Sequence, residues 1–217
     1  GVMVRAAPRR AHPLEGHRQV NRQTGIEGVA CAPEGGDFVS TKQWVTRLLL
    51  QHCPPPRSRI VDPCAGGGAI LQVLLAEGWS REQLFACEIR GEERPHLERL
   101  AGEVVIDDWA QVDDRFATGA SLITNPGFSL LPDFAELLLE RPRDYIALLM
   151  PIEELAGKQS SAAVFTRAPR PTDLILVAGR IWPNVRGCAW YVWQEALREE
   201  RRGLTRLHFS DCCTGMD

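Results

Sequence analysis

The sequence has no apolar run long enough to cross a bilayer and no signal-peptide hydrophobic region near its start, so it reads as cytoplasmic, in a reducing compartment. Bulk charge is also missing. The formal net charge is −3 over 217 residues, which argues against coating nucleic acid by charge alone and leaves room for a local basic groove. There is no C-x-x-C pair among the seven cysteines, Cys31, Cys53, Cys64, Cys87, Cys188, Cys212 and Cys213. They read as reduced thiols, neither a disulfide frame nor a zinc site, and no metal is expected. Cys212 and Cys213 with His208 could bind one, but a frayed tail is the better reading of that segment. The dinucleotide fingerprint G-x-G-x-x-G is absent, and no G-K-[ST] follows the Gly-rich stretch, which excludes a P-loop. No Ser-His-Asp set and no internal repeat is visible.

What is present suits one domain with a full core: 44% hydrophobic and 24% charged residues. Residues 1–36 are rich in Arg, Pro and Gly without period, and Arg5, Arg9, Arg10, Arg18 and Arg22 stand against Glu15, Glu27 and Glu34. This stretch reads as a solvated basic arm, or as an arm that touches phosphates. Regular patterning fills residues 37–200, and 201–217 read as a C-terminal tail. "TKQWVTRLLLQH" places Trp44, Val45, Leu48 and Leu49 on one helical face, and "CPPP" stops it. "SRIVD", "QLFACEI", "EVVIDD", "ASLIT", "DYIALLMP", "TDLILVA" and "CAWYVWQ" read as strands. "GGAILQVLLAEG", "EERPHLERLA" and "LLPDFAELLLER" read as helices between them. Strands that alternate with helices, and are apolar nearly throughout, predict an α/β fold with a mostly parallel, doubly wound sheet of Rossmann-like type.

The polar residues fall at the ends of successive strands. The first core strand ends in Asp62 and Pro63, followed by a turn containing Gly66 and Gly68 and then a helix. Glycines let a backbone approach a ligand, and a helix start offers free N–H groups. The second strand ends in Glu88 and Ile89, about twenty residues on, where an acid can accept hydrogen bonds from two ribose hydroxyls. The third ends in Asp107, Asp108 and Trp109, a carboxylate beside a ring. The fourth ends in Asn125-Pro126-Gly127-Phe128. Any one of these could be a bland strand end or turn. Four in succession are far more specific.

"DPCAGGG" and "NPGF", in this order and on these strands, resemble motifs of the class I S-adenosylmethionine-dependent methyltransferases, amino-methylating branch. That branch carries D/E-P-x-x-G-x-G at the first strand, matched in full, and D/N/S-P-P-Y/F/W at the fourth, matched at three of four positions. The chain is most similar to small adenine-N6 DNA methylases of phage and mobile-element type, over roughly residues 37–193. The resemblance implies S-adenosylmethionine as cofactor. Asp62, Pro63, Gly66 and Gly68 would surround its methionine moiety. Glu88 would hold the ribose, Asp108 the adenine amine, Trp109 and Ile89 would cover the ring, and Ser40 and Thr41 would close over the carboxylate. Asn125 and the Pro126 carbonyl would accept hydrogen bonds from the substrate amine, and Phe128 would stack on the flipped base.

The chemistry needs those residue types. An exocyclic amine is a weak nucleophile because its lone pair is delocalised into the ring. Two acceptors aimed at its N–H bonds draw it towards sp³ geometry, so alignment replaces a strong base. A base within a duplex must be flipped or already single-stranded. Gly127 stands where the family has a second proline, and it loosens the aim of the loop. Adenine in DNA is the leading target. Adenine in RNA, cytosine N4, a protein glutamine amide, and a non-catalytic subunit binding cofactor or nucleic acid beside a partner stay open. Trp182 and Arg186 could line a target pocket, Lys158 and Arg167 could meet phosphates, and Trp193 reads as core.

Overall fold

The computed structural model describes residues 40–112, 118–127, 144–155, 170–178, 181, 187–201 and 204–209. Among the described residues eight strands form one sheet: β1 (Ile60–Asp62), β2 (Leu84–Glu88), β3 (Glu103–Ile106), β4 (Ser121–Thr124), β5 (Tyr145–Pro151), β6 (Asp173–Val177), β7 (Cys188–Gln194) and β8 (Arg206–Phe209). Their order is β3-β2-β1-β4-β5-β7-β6-β8. From β1 the chain winds outward to β3, then returns to place β4 on the other side of β1. The strand order therefore reverses between β1 and β4, where the carboxyl ends of an open α/β sheet leave a crevice for ligands. β1 to β5 pair in parallel, as expected from their near-continuous apolar runs. β7 departs from that expectation and runs antiparallel between β5 and β6.

Alternate strand residues serve opposite faces, as the two-residue period requires. Ile60, Leu84, Ala86, Ile123 and Leu149 pack with Val45 and Leu49 of α1 (Gln43–His52), Ile70, Leu71 and Leu74 of α2 (Ala69–Ala76), and Leu97 of α3 (Arg94–Leu100). Val61, Phe85, Leu122, Ile146 and Leu148 make the other face, with Trp109, Val112 and Tyr191. Trp193 is buried there, as expected. Two buried hydrogen bonds fasten α1 to the sheet. The Trp190 indole donates to the Val45 carbonyl (2.8 Å), and the Tyr145 hydroxyl donates to the Cys53 carbonyl (2.6 Å). Each pairs an aromatic donor that would otherwise be buried unsatisfied.

A helix, α4 (Glu195–Arg201), follows β7 directly and closes the patterned segment, and β8, within the residues read as a C-terminal tail, extends the sheet in parallel beside β6. The arm over 1–36 and the expected helix over 130–141 lie outside the described residues. No helix among the described residues is long and apolar enough to cross a membrane.

Candidate active site

β1 ends in Asp62, whose side chain is 1% exposed. The chain then turns sharply, because α2 must start beside the sheet within a few residues. Gly66 has φ 54° and Gly68 φ 76°, a left-handed conformation that glycine alone adopts without steric penalty. Gly68 is constrained twice, since a Cβ there would lie 2.4 Å from Leu100 Cδ1 and 3.2 Å from Leu97 Cδ2. Gly67 has room, with its nearest neighbour, Glu93 Oε2, 3.8 Å away.

The turn is bound to the end of β2 at two points. The Gly66 N–H donates to Glu88 Oε2 (2.6 Å), and the Ala65 N–H donates to the Cys87 carbonyl (2.9 Å). Glu88 is buried, and its other oxygen accepts from the Arg90 N–H (3.1 Å) and from the Arg90 guanidinium (3.0 Å). The Cys64 N–H donates to Asp62 Oδ1 (3.2 Å). The buried Oδ2 has no hydrogen-bond partner in the structure. Burial pushes the Asp62 carboxyl up to about 7, Thr124 and the Cys64 N–H pull it down, and the Glu88 charge raises it again. Burial foremost, then Asp62 and Glu88, pushes the Cys64 thiol well up, and burial with Glu88 as the nearest charge pushes Cys87 up to about 12. Both thiols are therefore poor nucleophiles.

Across the switch point, β4 ends at Thr124, and Asn125 follows. The Asn125 amide donates to Thr41 Oγ1 (3.1 Å), so the start of α1 is joined to the end of β4 across 84 residues. Thr41 is buried and Ser40 exposed. Ser40, Thr41, Asp62, Gly66, Gly67 and Ile70 line one small cavity. The arrangement can hold a ligand that carries a cationic or donor group towards Asp62 and hydroxyls towards Glu88, with an amide at its far side.

The structure thus gathers Ser40, Thr41, Asp62, Pro63, Gly66, Gly68, Glu88 and Asn125 at one end of the sheet. Pro126 is buried and Gly127 half-buried beyond them. Among the described residues the glycines with positive φ are Gly66, Gly68, Gly78 and Gly119, and Gly127 is not in that set. Ile89 is 69% exposed beside a buried acid, an uncommon place for a large apolar side chain and a suitable cover for a flat ligand. Asp108 is exposed at the end of β3. Trp109 is a correction. Its ring is 2% exposed and packs with Val61, Phe85 and Val112, so it serves the core and offers no open face. An aromatic one residue past a strand end meets either demand, and here the apolar space beneath β1 and β2 takes it. Phe128, Lys158, Arg167, Trp182, Arg186, Cys31, Cys212 and Cys213 lie outside the described residues. Sequence reading missed the Thr41–Asn125 contact, for which no local signal exists.

Similar proteins were found by structure. A modification subunit of a provisionally assigned type I restriction enzyme from Vibrio vulnificus YJ016 superposes with a TM-score of 0.55 at 13% identity, over 85% of this chain and 49% of that one. The methyltransferase subunit of a type I restriction-modification system from Streptococcus thermophilus gives 0.52 at 15%, over 75% and 46%. A predicted O-methyltransferase, Atu636 from Agrobacterium tumefaciens, gives 0.52 at 17%, over 78% and 85%. This chain has the class I methyltransferase fold. It spans about half the length of the two restriction-system subunits. No protein-family model and no curated protein matches the sequence. The shared fold leaves the acceptor open, since a predicted O-methyltransferase is among the similar structures.

Proposed function

We propose that the chain transfers a methyl group from S-adenosylmethionine to an exocyclic amine of a nucleobase, with adenine N6 in DNA the leading target. The observation that carries this reading is Asn125, held by Thr41 at the end of β4, across the strand switch from Asp62 and Glu88. An amide there offers an acceptor oxygen to an amine, whereas an oxygen nucleophile would call for a base.

The residues present fit the cofactor. Asp62 Oδ2 is a buried acceptor without a protein partner, suited to an ammonium, and a cation beside it would return the carboxyl to its ionised form. Glu88 accepts two hydrogen bonds at Oε1 and one at Oε2, and each carboxylate oxygen has about two acceptor sites, so Oε2 can take a ribose hydroxyl. Ile89 covers a flat ring, and Asp108 lies one strand further for an exocyclic amine. When bound, the cofactor supplies an electrophilic methyl on a sulfonium. Asn125 and the Pro126 carbonyl hold the substrate nitrogen in line with it and take its N–H bonds as acceptors. Proximity supplies much of the rate. The amine proton leaves to solvent after transfer, so no side chain has to be a strong base.

The neighbours from restriction systems favour nucleic acid as the partner and are consistent with a second subunit. The test is nucleoside and peptide mass spectrometry after incubation with isotopically labelled S-adenosylmethionine and, separately, duplex DNA, single-stranded DNA, RNA and glutamine-containing peptides. N6-methyladenine in DNA is the expected product. N4-methylcytosine, methylated RNA or methylated glutamine would move the target while keeping the amine chemistry. Labelled oxygen esters or ethers would overturn it.

A further inference from the structure

Away from the strand switch, Cys53, Asp173 and His208 converge where the C-terminal end of α1, the start of β6 and the edge strand β8 meet. Their donor atoms all lie within 4.8 Å of one another. His208 Nε2 is 2.9 Å from Asp173 Oδ1 and 3.7 Å from Cys53 Sγ. We propose that these three residues form a structural site for a divalent transition metal of zinc type, which staples β8 and α1 to the sheet.

The donor set selects the metal. A thiolate, an imidazole and a carboxylate around one point suit zinc, and an all-oxygen ion such as calcium or magnesium would not use the sulfur. Zinc bond lengths in a tetrahedron place nitrogen about 3.3 Å from oxygen and about 3.6 Å from sulfur. The observed N–O and N–S separations are 2.9 and 3.7 Å, so metal entry widens the first by a few tenths of an ångström and brings the Cys53 sulfur and the Asp173 oxygen, which lie within 4.8 Å of each other, to about 3.5 Å. A simple imidazole–carboxylate pair explains the shorter contact and gives no reason for the thiol to approach the same nitrogen. Charge also closes: thiolate and carboxylate balance a divalent cation, and the Cys53 proton goes to solvent on binding.

The surroundings match a built site. Asp173 is 1% exposed and Cys53 3%. The Gln194 amide donates to the second Asp173 oxygen (3.1 Å) and fixes the carboxylate, as partners of metal ligands do. The His52 ring lies 5.1 Å from that of His208 and encloses one side. Water supplies the fourth ligand. β8 is held by its backbone pairing with β6 and gains a side-chain tether from such a staple. Leu207 and Phe209 are 52% and 65% exposed, leaving His208 as its inward-facing side chain.

The experiment uses the full chain, stripped with chelator and titrated with Zn(II) and with Co(II). A single tight equivalent is expected, with thiolate-to-cobalt charge-transfer absorption and proton release. At a hundredfold excess over Kd, Zn(II) should raise Tm by about 5–10 °C. Cys53→Ser and Asp173→Asn should lose the absorption and most of the Tm rise, while the double variant Cys212→Ser/Cys213→Ser keeps both. The proposal fails if the Cys53→Ser protein, folded by circular dichroism, binds and is stabilised like the wild type. It fails equally if the wild type shows no Tm shift, or if removing Cys212 and Cys213 abolishes binding. Methyl transfer is not part of the readout, so the outcome is independent of the proposed activity.

Discussion

The two sides of the strand switch are built differently. On the β1–β2 side, the Gly-rich turn is fastened by its own backbone: Gly66 to Glu88, Ala65 to Cys87, and Cys64 to Asp62. On the β4 side, Asn125 is joined by a side chain to Thr41, a residue from a distant segment. The difference teaches where rigidity is needed. Backbone contacts over short loops set the first half before any ligand arrives. The second half takes its aim from how α1 docks, through Trp190 and Tyr145. The proposed transfer from a small cofactor to a nucleic acid would gain from that asymmetry.

The largest effect should come from Asp62. Its folded value of about 7 lies above the unfolded 3.8, so the native state keeps a proton that the unfolded chain has lost between those values. Stability from this group is therefore highest below the unfolded value and declines as pH rises to about 7. Unliganded Asp62→Asn should gain about 3 kcal/mol relative to wild type on going from about pH 5 to about pH 8, measured by urea denaturation. A pH-independent difference would show that Asp62 is ionised throughout.

Next come the glycines of the rigid half. Gly68→Ala should destabilise by about 2–4 kcal/mol, from left-handed strain and the clash with Leu100. Gly67→Ala, with space for a Cβ, should change thermal stability far less. Equal effects would mean the turn is softer than its hydrogen bonds imply. Glu88→Ala should weaken S-adenosylmethionine binding by about 1.5–3 kcal/mol in calorimetry, the range for hydrogen bonds to a charged group. Unchanged affinity would remove Glu88 from the ligand and leave it as a clamp on Gly66 and Arg90.

The smallest effect probes the looser half. Thr41→Val should slow methyl transfer by about 0.5–1.5 kcal/mol in barrier, the net value of one hydrogen bond, and Thr41→Ser should restore it. The split between kcat and KM distinguishes aim from binding: loss of aim lowers kcat. A change confined to the KM for S-adenosylmethionine would make Thr41 a cofactor contact and uncouple it from Asn125.

Much of this layout was legible in the sequence, and the reasons are particular. Asp62, Glu88, Asp108 and Asn125 stand out because each ends an apolar strand, and in this fold those ends meet. The direction of β7 was not legible, because a strand buried on both faces reads alike in parallel and antiparallel sheets. β8 was hidden by its exposed alternation, which resembles a polar tail. Trp109 was misplaced since a ring beside a carboxylate serves either a ligand or the core. Contacts across 84 and 155 residues, Thr41 with Asn125 and Cys53 with His208, follow from how the helix and the edge strand dock and leave no local trace.

The central claim is that Asn125 aims an amine at a sulfonium methyl. Single-turnover methyl transfer to adenine-containing DNA by wild type and Asn125→Ala, with S-adenosylmethionine binding measured in parallel, tests it most directly. The account predicts N6-methyladenine from wild type, a fall of at least about 10²–10³-fold in the variant by analogy with losing one preorganised catalytic hydrogen bond, and cofactor affinity nearly unchanged. Equal rates from the two proteins, or no transfer by wild type to DNA, RNA or peptide amides while it binds the cofactor, would contradict it.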